Sequence, residues 1–285
     1  FAEAREAGVT AVLTGPGSAN VIGGSFCALK TFGSTIEDML IKEPAALKAA
    51  LGENPKRCYN ERKASPMTRM ATAALLREAF YKARAYGEKK RRAVQSQEEF
   101  ELDMSKERLL DVLEGRLRLK IHCHRADDIQ TAIRIAEEFN VSYTLDHCTE
   151  GYMMLDIIKR HNAQCILGPI LIGRPKIEMK NLNYGGAAVF EREGVEFALS
   201  TDHPETPVQL LSASAAFLVR NGLSEEAAMR AMTVNAARIT GLADRIGSLK
   251  PGLDADIVVF DGHPLDVRTK VSMTIIDGNI VYGGL

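Results

Sequence analysis

The sequence predicts an α/β fold, a (β/α)8 TIM-type barrel followed by the C-terminal part of a small β-sandwich domain. Three observations predict it. From residue 117 onward, short apolar β-rich runs alternate with amphipathic helical patterns, and strands separated by helices pair in parallel through right-handed crossovers. Three of those runs end on residues that can ligate a metal: His122 in LRLKIHCHRADD, His147 in VSYTLDHCTEG and Asp202 in EFALSTDHPE. Barrel enzymes of this kind carry their active-site groups at the C-terminal ends of the strands. After residue 240 the texture changes to β-branched runs separated by turns.

Taken in order, residues 1–7 carry a helical pattern ending at Gly8, and residues 9–13 form a β-rich run before the Gly15-Pro16-Gly17 loop. Residues 25–31 are a second strand candidate. Between 34 and 116 helical patterns dominate (44–51, 68–86 and 105–114), which reads as a helical insertion. Residues 117–123 open the regular alternation. Asp127 is placed to cap a helix with Ile129, Ala132, Ile133, Ala136 and Phe139 on one face. Strands are then expected at 141–145, 163–172 and 195–200, with helical stretches at 151–161 and 185–193. Residues 207–220 and 224–240 read as helices, the second capped by Ser224 and ended by Gly241. Asp277-Gly278 between β-branched runs signals a hairpin. The expected division is a barrel over 1–240 and the β-sandwich portion over 241–285.

The 285 residues carry a net charge of −1, so no electrostatic pull toward nucleic acid or acidic membranes is expected. The basic run from Lys89 to Arg92 follows a helical pattern and reads as a solvated helix end. No apolar stretch approaches the roughly 20 residues that span a bilayer, and no signal peptide is visible. Five scattered cysteines without a CxxC pair argue against a disulfide framework or a thiolate zinc site and suit a reducing cytosol. A cytoplasmic enzyme acting on a small-molecule substrate is expected, with homo-oligomer formation left open.

Imidazole nitrogens and one carboxylate suit a divalent ion, Zn²⁺ first, with Fe or Mn as alternatives. Such an ion lowers the pKa of its water to roughly 7, and an aspartate beside it can pass the proton to a leaving group. Asp202 suits that dual role of ligand and shuttle. A single histidine near a strand end is more often structural, but three ligand-type residues at matching positions of a repeating unit outweigh that reading. His124, two residues beyond His122, points to the same face if the strand continues and could reach substrate or a metal. His124, Arg125, Glu150 and His203 are the substrate-facing candidates. His161 and His263 read as surface residues. Arg69 could reach a substrate carboxylate, although a helix-surface position is favoured.

The closing segment, NAARITGLADRIGSLKPGLDADIVVFDGHPLD followed by IIDGNIVY, resembles the signature of the metal-dependent amidohydrolase superfamily, particularly its imidazolonepropionase-like and prolidase-like branch. IHCHRADD resembles that family's strand-five histidine motif, LDHCTEG its strand-six motif and STDHPE its strand-eight aspartate motif. The resemblance spans 1–33 and 117–285, the middle matching only loosely. It implies strands 2–8 of the barrel, His122 and His147 as metal ligands, and Asp202 as ligand and proton shuttle. It further implies hydrolysis of a C–N bond in a cyclic or linear amide, with a deaminase or a non-catalytic scaffold as alternatives. The family's first strand ends in a His-x-His pair; no histidine precedes His122, so that pair is expected upstream of Phe1. Binuclear members bridge their metals with a carboxylated lysine on the fourth strand. Lys30 falls one strand early, where a structural or substrate-facing role fits better, and Lys120 lies too close to His122, so a mononuclear site is expected.

Overall fold

In the computed structural model, which describes residues 1–284, seven strands form one curled, half-barrel sheet whose spatial order follows the chain. They are β1 (Ala11–Thr14), β2 (Ile22–Lys30), β3 (Leu40–Ala50), β4 (Arg118–Cys123), β5 (Tyr143–His147), β6 (Gln164–Leu167) and β7 (Phe197–Leu199). Every pairing from β3 to β7 is parallel. Pairings β1–β2 and β2–β3 are antiparallel, which corrects the expectation of a uniformly parallel sheet. The links there are residues 15–21 and 31–39, whereas a parallel crossover needs a dozen or more residues.

Helices α1 (Ala2–Glu6) and α2 (Ile36–Met39) are short, while α3 (Glu53–Glu61), α4 (Arg69–Ser96) and α5 (Met104–Leu113) lie between β3 and β4. The crossovers from β4 to β7 carry α6 (Ala126–Phe139), α7 (Leu155–Arg160) and α8 (Gly186–Arg192). After β7 come α9 (Leu211–Arg220), α10 (Glu225–Met232) and α11 (Val234–Thr240). The helix expected over 224–240 is thus interrupted at Thr233, and the N-cap of α6 is Arg125, with Asp127 in its first turn.

Strand alternation sorts the side chains into two faces. Leu47, Leu119, Ile121, Leu145, Leu167 and Phe197 pack with Phe80 of α4, Ile129 of α6, Phe190 of α8 and Leu218 of α9 in the main core. The opposite face carries Lys48, Lys120 and His122. On the same face, Ile166 and Ala198 pack against Ile239 of α11.

Strand β3 is the largest departure from expectation, because residues 44–51 were expected to be helical. Ala, Leu and Lys favour a helix locally. Here Ala45, Ala46, Ala49 and Ala50 are all buried, and the segment pairs with β2 on one side and β4 on the other. Pairing on both edges overrides the weak intrinsic preference.

A second sheet is formed by β8 (Ile257–Phe260), β9 (Val271–Ile276) and β10 (Asn279–Gly283), all antiparallel. Asp277 and Gly278, both at positive φ, make the expected hairpin turn between β9 and β10. Lys30, at the end of β2 and 2% exposed, clasps the two sheets together. Its ammonium lies 3.0 Å from Asp254, 2.7 Å from Asp256 and 3.2 Å from Asp277. Lys30 is therefore a structural lysine. Among the described residues no helix is long and apolar enough to cross a membrane.

Candidate metal centre

His122 is the penultimate residue of β4, and His124 follows directly after the last one, Cys123. The register sets His122 opposite Asp146, with His147 one residue further along β5. Simple alternation would turn His147 away from His122. The backbone prevents this: His147 and Cys148 adopt φ of +71° and +46°. Lys63, Gln97, Asn140 and Asn162 have positive φ just beyond helices, and Asp277 has it in the hairpin turn. The remaining non-glycine cases are His147, Cys148 and Asp202, all at strand ends. Strain of this kind persists only where the surroundings over-determine it. Its result is a triangle of imidazoles, with ring centroids 4.8 Å apart for His122–His124, 4.5 Å for His122–His147 and 4.6 Å for His124–His147. One ligand nitrogen from each lies within 4.8 Å of the others.

Burial holds all three rings below their ordinary pKa, and neighbouring groups add to it: Lys48 for His122, and the other two imidazoles, which would repel a second positive charge, for His124. For His147 the second cause is His122. The rings are neutral at pH 7, the form that ligates a metal. Hydrogen bonds fix which nitrogen is free. His147 Nδ1 donates to the Gly168 carbonyl at 2.7 Å, leaving Nε2 its lone pair. His124 Nδ1 meets Thr149 Oγ1 at 2.7 Å, and its Nε2 is buried without a partner, as is His122 Nδ1. Each such orphan costs roughly 1–3 kcal/mol. His122 Nε2 lies 3.4 Å from the Asn54 side-chain amide nitrogen, and three buried neutral imidazoles gathered this closely fit a divalent cation.

Below the histidines lies an ion-paired floor. Lys120 Nζ is 2.7 Å from Asp146 Oδ1 and Lys48 Nζ is 3.3 Å from Asp146 Oδ2, while Thr144 Oγ1 donates to Oδ1 at 3.2 Å. Burial alone would raise the Asp146 carboxyl, but Lys120 and Lys48 outweigh it and hold it low. Burial pushes the Lys120 ammonium below its usual range. Lys48 occupies the strand beside that of His122, the place where the resemblance looks for a bridging lysine. Its helix-like setting in PAALKAAL concealed it. The clue was a lone charge inside an otherwise apolar run.

The other expected residues scatter. Glu150 is buried, but its oxygens accept from the Ala126 N–H and the Asn181 amide, each at 2.7 Å, so it caps α6 instead of facing free space. Arg125 pairs with its neighbour Asp127 at 2.9 Å. Asp202 and His203 lie exposed beyond β7, and His203 Nδ1 accepts from the Val208 N–H at 3.3 Å. Asp202 does not join the gathered ligand atoms. Its carboxyl is raised by the protein around it, against the opposing pull of Lys48. His161 and His263 lie beside Glu137 and Glu225 on the surface. Arg69 is engaged by Asp128 at 3.0 Å and Glu178 at 3.8 Å. Glu178 itself, fully buried, had no signal in the sequence, since it lies in a loop away from any strand end.

Known proteins give a consistent picture. A family model described as "Amidohydrolase family" matches residues 182–282. The crystal structure of an amidohydrolase from Thermotoga maritima MSB8 superposes with a TM-score of 0.97 at 43% identity, covering 99% of this chain and 74% of that one. Amidohydrolase tasK of Hapsidospora irregularis is 28% identical over 311 residues, 98% of this chain and 31% of its own length. An imidazolonepropionase of Thermoplasma acidophilum is 31% identical over 136 residues, 45% of this chain and 32% of its own. The chain thus spans about a third of the length of these curated relatives.

Proposed function

The chain belongs to the amidohydrolase superfamily, and on that premise we propose that it hydrolyses a C–N bond in a small cyclic or linear amide. The observation that carries this reading is the triangle of His122, His124 and His147, buried at the ends of parallel strands with one ligand nitrogen from each within 4.8 Å of the others. The curled sheet is read as seven strands of a (β/α)8 barrel, with residues 1–240 its barrel part and 241–285 part of the β-sandwich.

A divalent ion held there, Zn²⁺ by preference for these donors, would supply a Lewis acid and an acidified water. The chain's own residues do the rest. Gly168 and Thr149 lock the rings of His147 and His124. Asp202 is assigned as proton carrier, and as a further ligand if it turns inward. It takes a proton from the attacking water and gives it to the departing nitrogen. The C–N bond breaks as the C–O bond forms, leaving a carboxylic acid and an amine. Lys48 and Lys120 share one carboxylate, so the floor favours negative charge developing on the carbonyl oxygen. Because Lys48 is held to Asp146, a single ion is our reading.

The full-length protein should be assayed against hydantoins, imidazolones, N-acyl amino acids and dipeptides. Turnover of at least one class is expected, lost on chelation and restored by Zn²⁺. Asp202→Asn should lower kcat by about 10²- to 10⁴-fold. Deamination of amidine-type substrates with no amide turnover would assign the site to a deaminase, and no turnover of either kind would overturn the reading.

A further inference from the structure

The loop between β6 and α8 sends one side chain into the centre. Glu178, in the turn Ile177–Met179, is 0% exposed and its two carboxylate oxygens have different surroundings. Oε2 is anchored: it accepts from the Glu53 N–H at 2.8 Å and lies 3.8 Å from the Arg69 guanidinium. The tie is reciprocal, since the Glu178 N–H donates to Glu53 Oε2 at 3.4 Å. Oε1 is presented: it is 3.7 Å from Nε2 of both His122 and His124, and it has no hydrogen-bond partner. The seat is built to fit. A Cβ on Gly52, which has φ +80°, would fall 2.7 Å from Glu178 Oε2 and 3.0 Å from Asp128 Oδ2.

We propose that Glu178 is an anionic ligand of the ion held by the histidine triangle, delivered by the β6–α8 loop and aimed by Glu53 and Arg69. The proposal rests on the reading that the histidines hold a divalent ion. Donors about 2.0–2.1 Å from a tetrahedral Zn²⁺ lie roughly 3.4 Å from one another. The 3.7 Å separations of Oε1 from the two imidazole nitrogens are those of groups that close on a common ion with a small shift. A carboxylate among three neutral imidazoles also offsets part of the ion's charge, which three imidazoles alone cannot do. Anchoring one oxygen fixes the other, as hydrogen-bonded partners orient metal ligands generally.

The test measures Zn²⁺ affinity by chelator competition and the visible spectrum of the Co²⁺-loaded protein, for wild type, Glu178→Gln and His147→Ala. Glutamine keeps an oxygen for the Glu53 N–H and so preserves the loop. We expect Glu178→Gln to weaken Zn²⁺ binding about 10- to 100-fold and to change the Co²⁺ ligand-field bands. Unchanged affinity and spectrum in Glu178→Gln would overturn the proposal. If His147→Ala still weakens binding in that case, only the role of Glu178 falls; if it does not, the metal centre falls too. A crystal structure of the Zn²⁺-loaded wild type is the variant-free check. Glu178 Oε1 at about 2.0–2.2 Å from the ion is expected, and a carboxylate turned away from a histidine-bound ion would overturn the proposal.

Discussion

His147 brings together backbone strain, hydrogen bonding and burial at one position. Its orientation depends on the Gly168 carbonyl, and Gly168 sits at φ +128°, where a Cβ would lie 1.9 Å from the Ser200 carbonyl oxygen. Gly168→Ala should therefore destabilise the fold by more than about 1 kcal/mol and weaken metal binding, as read by urea unfolding and chelator competition. Wild-type values for both would remove Gly168 as the positioner of His147. Glu150→Ala should cost about 1–3 kcal/mol by stripping the Ala126 N–H and the Asn181 amide of their acceptors, with KM unchanged. A raised KM at full stability would restore Glu150 to the substrate pocket. His122 and His147 were legible as candidate ligands because they end apolar runs at one-unit spacing, whereas His124 was expected among the substrate-facing residues and Asp202 among the ligands. Glu178 was not legible, because its place is set by the path of a loop across the molecule, which local sequence does not encode. The role of Glu150 was hidden for a similar reason: its partners lie 24 and 31 residues away.

At the scale of elements, the strands and helices from β4 onward could be read because their periodicities differ and turn signals separate them. Strand β3 could not, since its alanines and leucines suit a helix until two neighbouring strands claim them. The antiparallel start was legible in principle: the short links 15–21 and 31–39 leave no room for crossovers. The misreading of β3 mattered, because it concealed Lys48 and with it half of the floor beneath the histidines. That floor gives an element-level prediction. Asp146→Ala would leave Lys48 and Lys120 buried around an empty place, and chemical unfolding should show a loss of about 3–5 kcal/mol. A loss below about 1 kcal/mol would mean that β3, β4 and β5 are not tied through this carboxylate.

For the whole molecule, the Lys30 clasp decides whether the two sheets behave as one body. Burial opposes the charged form of Lys30, but Asp256 and Asp254 outweigh it and raise its pKa above 10.5. Burial likewise opposes the Asp254 carboxylate, while Arg245 and Lys30 hold it below 3.8. A depressed carboxyl stabilises the fold above its unfolded value, and that contribution is lost as pH falls through the folded value. A raised ammonium stabilises it below its unfolded value and is lost as pH rises through the folded one. The clasp therefore holds across the neutral range. Lys30→Met should cost about 3–5 kcal/mol at pH 7, and the gap to wild type should narrow as the pH is lowered through about 4. A gap that stays constant with pH would show that the lysine contributes packing alone.

The central claim, that His122, His124 and His147 form a metal centre, is tested most directly by metal content. The full-length protein is stripped with chelator, reloaded with Zn²⁺, passed through a desalting column and analysed by plasma mass spectrometry beside His147→Ala. Wild type is predicted to retain about one equivalent and the variant well under about half. A wild type that retains no ion, or a variant that retains as much as wild type, would contradict the claim.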